Sequence, residues 1–128
     1  MSYTFETSVD DGILTVRLGG MRPALDSDVL EQQWGFWSRA TDECRRLGIT
    51  RILSVHSPSG RVSSSATLTW YSRLGDIGFD KSMSIALVIA DDHGRNVLRL
   101  GAAAAVNRGW KVKVFDTEAE ARAWLTFG

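Results

Sequence analysis

The side chains best equipped for chemistry gather after two strand-like segments. Asp91, Asp92 and His93 follow the wholly apolar run Ile85 to Ala90, and the carboxyl ends of parallel strands are where open α/β sheets place ligands. Two carboxylates beside an imidazole can hold a metal or move protons. His56 closes another strand-like segment and joins this set if the two strands are neighbours. The commoner use of Asp-Asp-His-Gly is a turn that caps the next helix, and a single His with adjacent carboxylates lacks the further spaced ligands of a metal motif. No metal and no cofactor is therefore expected. Gly-x-Ser-x-Gly, Gly-x-Gly-x-x-Gly and the phosphate-cradling P-loop are all absent from the sequence. Cys44 falls on the apolar stripe of a helical segment and reads as a packed thiol rather than a nucleophile. No catalytic residue is assigned on these grounds.

Two other groups of residues point to recognition. Ser57, Ser59, Ser63, Ser64 and Ser65 cluster before a helical segment, where serine commonly caps the free amides and where a phosphate would be electrostatically favoured. Ser63, Ser64 and Ser65 are the candidates for phosphorylation. Five tryptophans are many for 128 residues, and Trp34, Trp37, Trp70 and Trp110 fall on elements that can converge. Trp34, Trp37, Trp70 and Tyr71, with His56, Asp91 and His93 nearby, could line a groove for a small apolar ligand. Core packing or a homodimer surface is the more frequent use of such rings. Gly35, between Trp34 and Phe36, costs about 1 kcal/mol against Ala inside a helix, which suggests close backbone approach or room for something.

The elements that must position these groups are legible from periodicity. Tyr3 to Thr7 and Ile13 to Leu18 alternate about Asp10-Asp11-Gly12, a hairpin signal. Val29, Leu30, Trp34, Trp37, Ala40, Cys44 and Leu47 recur at helical spacing, with Asp28 and Glu31 as a capping box and Gly48 as terminator. Arg51 to Ser57 reads as a third strand, Ser57-Pro58-Ser59-Gly60 as a loop, and Ser63 to Leu74 as a second helix. Gly75 to Asp80 is a turn-rich connection. The apolar strand Ile85 to Ala90, a helix over Asn96 to Arg108, a strand over Lys111 to Phe115 and a closing helix opened by Thr117 and Glu120 complete a β-α-β-α unit. Only the fourth strand reads as buried on both sides, because the others alternate apolar and polar residues.

One α/β domain over residues 1–128 follows, with a five-stranded mixed sheet whose first strand is antiparallel and whose rest is mainly parallel. Four helices, mostly on one face, cover it. Fifteen basic and fifteen acidic residues cancel, so the basic footprint of a nucleic-acid binder is missing and none is expected as partner. No apolar run approaches the roughly 20 residues that span a bilayer. The single cysteine and the opening residues suit a cytoplasmic protein.

The order of elements, the Ala-rich helix with Asn107-Arg108-Gly109 and the closing segment Val112 to Leu125 resemble small bacterial SpoIIAA-like proteins, which share a fold with STAS domains and Sec14 lipid-binding proteins. The resemblance implies a non-catalytic regulatory or protein-binding module, switched by phosphorylation of a serine where the third strand meets the second helix. Here that region is Ser57 to Ser65, without an Asp-Ser-Ser-Gly-type sequence and with Pro58-Ser59-Gly60-Arg61 inserted. The expected partner is another protein or a second copy of the chain, and a small apolar ligand or lipid is the alternative.

Overall fold

The computed structural model describes residues 3–57 and 63–127; Ser59 and the expected Pro58–Arg61 insertion lie outside them. Strand β1 (Tyr3–Asp10) turns at Asp11 and Gly12 into β2 (Ile13–Gly20). Both turn residues have positive φ, 53° and 73°, the requirement of a two-residue hairpin whose twist matches its strands. Strand β2 leads through Met21–Leu25 to helix α1 (Asp26–Leu47), then β3 (Arg51–His56), α2 (Ser64–Ser72), α3 (Leu74–Ile77), β4 (Ser84–Ile89), α4 (Asp92–Asn107), β5 (Lys111–Phe115) and α5 (Glu118–Phe127). The strands lie side by side in chain order. Strand β1 is antiparallel to β2, and every later pairing is parallel. Among the described residues no helix is long and apolar enough to cross a membrane.

This order explains where the helices go. Three successive crossovers each step one strand in the same direction, and right-handed crossovers taken that way deposit their helices on one face. Leu14, Val16 and Leu18 of β2, Ile52 of β3, Ile85, Leu87 and Ile89 of β4, and Val112 and Val114 of β5 form one core with residues of α1 to α4. Helix α5 follows the last strand, is free of that constraint, and folds under the sheet. There Ala121 and Leu125 pack on Ile13, Leu53, Ala86, Val88 and Phe115. Strand β3 is consequently buried on both sides, like β4: Ile52 on one face and Leu53 on the other are both inaccessible, and burying each is worth about 2 kcal/mol. The bidentate pair of Arg17 with Glu118, at 2.9 and 3.2 Å, and the bond from Arg122 to Thr15 Oγ1 at 3.3 Å pin α5 beneath β2.

Three local departures from the sequence expectation have physical causes. There are five helices rather than four among the described residues. Arg73, at φ −121° and ψ 22°, breaks the second helix, and the chain regains one helical turn because Leu74 and Ile77 both bury. The four-residue spacing of Ala66, Trp70 and Leu74 runs through this break unchanged. Helix α1 starts at Asp26 behind an extended Leu25 with no side-chain cap. Asp28 N already donates to Leu25 O at 3.1 Å, so the Asp28–Glu31 capping box does not form. Helix α4 begins one turn before Asn96, because the Asp91 carboxylate accepts a bond from Gly94 N at 2.7 Å and answers one of the first free amides. At the start of α5, Thr117 Oγ1 accepts from Glu120 N at 3.2 Å and donates to the Glu120 carboxylate at 3.0 Å, so the Thr117 cap forms as the sequence predicts while the Glu120 carboxylate meets the hydroxyl rather than the backbone amide of a full capping box.

Candidate functional site

A cavity of about 620 Å³ opens between α1, α2 and the carboxyl ends of β2 and β3. That volume is within the range of pockets that hold drug-sized ligands. Its apolar lining comes from Val29, Leu30 and Trp37 of α1, Ala66, Trp70 and Tyr71 of α2, Leu87 of β4 and Leu98 of α4. The β2–α1 connection contributes Met21, Arg22, Pro23 and Ala24, while His56, Ser63 and Gln33 supply polar groups.

The aromatic wall is built by packing between rings. Trp37 and Trp70 lie 6.0 Å apart between centroids, and Trp70 meets Tyr71 edge-on at 4.9 Å and 88°. Gly101 of α4 sets the position of Tyr71: a Cβ there would stand 2.2 Å from Tyr71 Cδ2. Helices α2 and α4 can approach this closely only because residue 101 has no side chain.

The residues in and beside the cavity wall carry two kinds of polar group. The first kind is answered inside the protein. Trp37 Nε1 donates to Gln33 Oε1 at 3.1 Å, and Gln33 Nε2 donates to the Tyr3 hydroxyl at 2.8 Å. Burial raises the Tyr3 pKa, and the charge of Arg22 and hydrogen bonds from Gln33 and Arg22 oppose that rise. Ser63 Oγ donates to Asp26 Oδ2 at 2.9 Å and accepts from Ala66 N at 3.2 Å. His56 Nε2 lies 2.9 Å from Ser54 Oγ. Burial first, and then the positive charge of Arg22, lower the His56 pKa to about 3, so the imidazole is neutral at physiological pH. The second kind is unanswered. Trp70 Nε1 and the Tyr71 hydroxyl are buried and have no hydrogen-bond partner among the described residues, although such groups are nearly always paired. Burial also pushes the Tyr71 pKa up, holding its hydroxyl protonated.

No family model matches the chain, and no curated protein matches it. The cavity must therefore be interpreted from its own chemistry. Ser54 and His56 have the separation of a nucleophile and its base, but Ser54 is wholly buried and the pair satisfies two polar groups within the sheet.

The residues singled out in the sequence divide between the cavity and other places. Trp37, Trp70, Tyr71 and His56 line it together. Trp34 does not line it; half-buried, it packs at the edge of the core with the Arg73 guanidinium 4.7 Å from its ring centre. Asp91, Asp92 and His93 are exposed at the start of α4 and do not line the cavity. Among the described residues no three His, Cys, Asp or Glu side chains are grouped to hold a metal. Ser63 is the half-buried cap of α2, while Ser64 and Ser65 are exposed on its first turn. Cys44 is completely buried, and that burial pushes its thiol up to about 11. Gly35 is exposed, and nothing lies within 4 Å of where its Cβ would be, so neither close approach nor the main cavity explains it.

Arg22, Gln33, Leu87 and Leu98 are among the lining residues that sequence reasoning missed. Gln33 carried a usable signal, since it sits four residues before Trp37 and a polar side chain there meets the core. Arg22 lies in an irregular connection and carried none.

Proposed function

We propose that this chain is a non-catalytic binding module that holds a small, largely apolar ligand between α1, α2 and the carboxyl ends of β2 and β3. The observation that carries the reading is the 620 Å³ cavity walled by Trp37, Trp70, Tyr71, Leu87 and Leu98. Cavities that combine apolar walls with a few polar groups are the usual form of small-molecule sites.

The test is a titration with N-phenyl-1-naphthylamine, an uncharged apolar fluorophore, following its emission and energy transfer from tryptophan. Saturable binding is expected, and it is expected to disappear in Thr67→Trp, which fills the cavity from a half-buried lining position. Absence of binding, or equal binding by the filled variant, refutes the reading.

A STAS-type protein-interaction module switched at the serines is the second reading, favoured by the exposure of Ser64 and Ser65 on the first turn of α2. Ser63 is the weaker phosphorylation candidate of the three. Its hydroxyl bonds the Asp26 carboxylate, and a phosphate there would face like charge. Phosphopeptide mass spectrometry of the protein from its native cells separates the readings: modified Ser64 or Ser65 supports a switch, and unmodified serines under all growth conditions remove it.

A further inference from the structure

The two edges of the sheet are built differently. Among the described residues β1 pairs with β2 on one side and with no strand on the other, and β5 forms the opposite edge. Natural sheets blunt such edges with short strands, lysines, prolines or bulges, because a row of open amides and carbonyls recruits another strand. Strand β5 is guarded in this way: it has five residues, and Lys111 and Lys113 are exposed on it. Strand β1 has eight residues in unbroken register with β2, without lysine, proline or bulge. In a hairpin with a two-residue loop the residues flanking the loop, here Asp10 and Ile13, exchange their backbone bonds, and bonding alternates from there. Thr4, Glu6, Ser8 and Asp10 thus bond β2, whereas Tyr3, Phe5, Thr7 and Val9 turn their N–H and C=O groups to the open edge. The side chains of this second set share the face that α1 covers only in part: Phe5 stacks on Phe36 at 4.8 Å between centroids, yet Val9 is 48% exposed.

We propose that this edge is the interface of a homodimer, in which β1 pairs antiparallel with β1 of a second copy about a two-fold axis at Thr7. The register follows from the open groups and the charges. Antiparallel partners face each other only when both turn their backbone groups the same way, and of the alignments that meet this rule the two longest are centred on Glu6 and on Thr7. The first sets the two Glu6 carboxylates opposite each other, which is destabilising. The second sets Phe5 against Val9 of the second copy, Thr7 against Thr7, Glu6 against Ser8 and Thr4 against Asp10, so no like charges meet. About six backbone hydrogen bonds form across the axis, and the exposed Val9 gains an aromatic partner, one of the favourable cross-strand pairs. A two-fold interface must complement itself, and this strand does so in one register; that self-complementarity identifies the occupant as a second copy of the chain. Phe5, Thr7 and Val9 do not line the cavity, so the inference is independent of the ligand-binding reading.

The experiment is sedimentation velocity of the full chain at low salt, from about 5 μM to about 1 mM, the range in which small interfaces associate. A reversible equilibrium between one and two chains is expected. Thr7→Pro removes the N–H at the axis on both copies and spares the bonds of β1 to β2, which use its neighbours; it is expected to weaken the dimer about tenfold or more. Ser8 is exposed on the other face of the strand, so a charge there leaves the hairpin packing intact. Ser8→Glu faces Glu6 of the second copy and is expected to weaken the dimer about fivefold, whereas Ser8→Lys is expected to tighten it by a similar factor. Far-UV circular dichroism and urea melts establish that each variant is folded, and the Ser8 pair decides the matter where Thr7→Pro does not fold. Amide exchange by NMR should slow with concentration at Phe5, Thr7 and Val9 and stay constant at Glu6 and Ser8. A single chain at every concentration overturns the inference. So does a dimer that a folded Thr7→Pro leaves undiminished, or one that Ser8→Glu and Ser8→Lys shift in the same direction or not at all.

Discussion

Replacing glycine by alanine in two helices of this protein should have opposite effects, and the difference measures how tightly α2 and α4 hold the cavity wall. Either substitution gains about 1 kcal/mol of helix propensity. At Gly35 nothing stands within 4 Å of the new methyl, so Gly35→Ala should keep most of that gain and raise the melting temperature by about 3 to 5 °C. At Gly101 the methyl would lie 2.2 Å from Tyr71 Cδ2 and 2.6 Å from Cε2, against 3.4 Å for the closest ordinary contact. The ring must therefore retreat by about 1.2 Å along its tightest contact. It cannot do so alone, because Tyr71 is wedged edge-on against Trp70, so α2 must move away from α4. Overpacking of this kind costs about 1 to 3 kcal/mol, and a rigid ring belongs at the upper end of that range. Gly101→Ala should thus lose about 2 kcal/mol net, placing the two variants about 3 kcal/mol apart. Urea denaturation followed by tryptophan fluorescence measures both, with equal slopes confirming that the denatured state is unchanged. A Gly101→Ala protein as stable as wild type would show that α2 yields freely, and the argument for a rigid aromatic wall would fail.

Three further outcomes follow from buried groups. His56 is neutral in the folded chain down to about pH 3 because of burial and the charge of Arg22, and its unfolded value is 6.5. Between those values the unfolded chain binds more protons, so the contribution is full above about pH 6.5 and falls as pH drops toward 3, by at most about 5 kcal/mol. Urea melts of wild type and His56→Asn at pH 7, 5 and 4 should converge as the pH falls, and parallel stability curves would refute the assignment. Cys44, with its thiol raised to about 11 by burial, should react with a disulfide reagent at pH 8 only as fast as the chain opens; labelling as rapid as that of a free thiol would contradict the packing of α1. Tyr71→Phe removes an unanswered buried hydroxyl and should stabilise the ligand-free protein by about 1 kcal/mol, read by thermal melting of ligand-stripped samples, and a destabilised variant would mean that the hydroxyl is satisfied.

The sequence revealed elements more readily than contacts because periodicity records burial and says little about which element supplies the burying surface. The alternation of Leu14, Val16 and Leu18 correctly placed a mixed sheet with one strongly apolar face. It could not reveal that α5 reaches back under β3, since Leu53 and Val55 look no different in sequence whether they meet helix or solvent. The break at Arg73 was invisible for a related reason: Ala66, Trp70 and Leu74 keep their spacing whether the helix is continuous or interrupted, because all three remain buried. At the cavity, Trp37, Trp70, Tyr71 and His56 stood out by type, and the structure places them together. Asp91 and His93 stood out for the same reason, yet Asp91 is occupied in capping α4 and both are exposed. Arg22 could not be recognised without the fold, because only the path of Met21–Leu25 brings it beside His56 and Tyr3.

The position of the cavity follows from the winding of the chain. In doubly wound sheets the ligand crevice forms where the strand order reverses, but β2 to β5 run in one direction without reversal. Room must come from elsewhere. The β2–α1 connection and the start of α2 both lie at carboxyl ends of strands, and α2 is drawn toward α4 by the missing side chain at Gly101. Trp37 of α1 and Trp70 and Tyr71 of α2 wall the space between these helices. A chain selected only for stability would fill such a space and answer its buried donors, as Gln33 answers Trp37. Leaving Trp70 Nε1 and the Tyr71 hydroxyl without acceptors among the described residues costs stability.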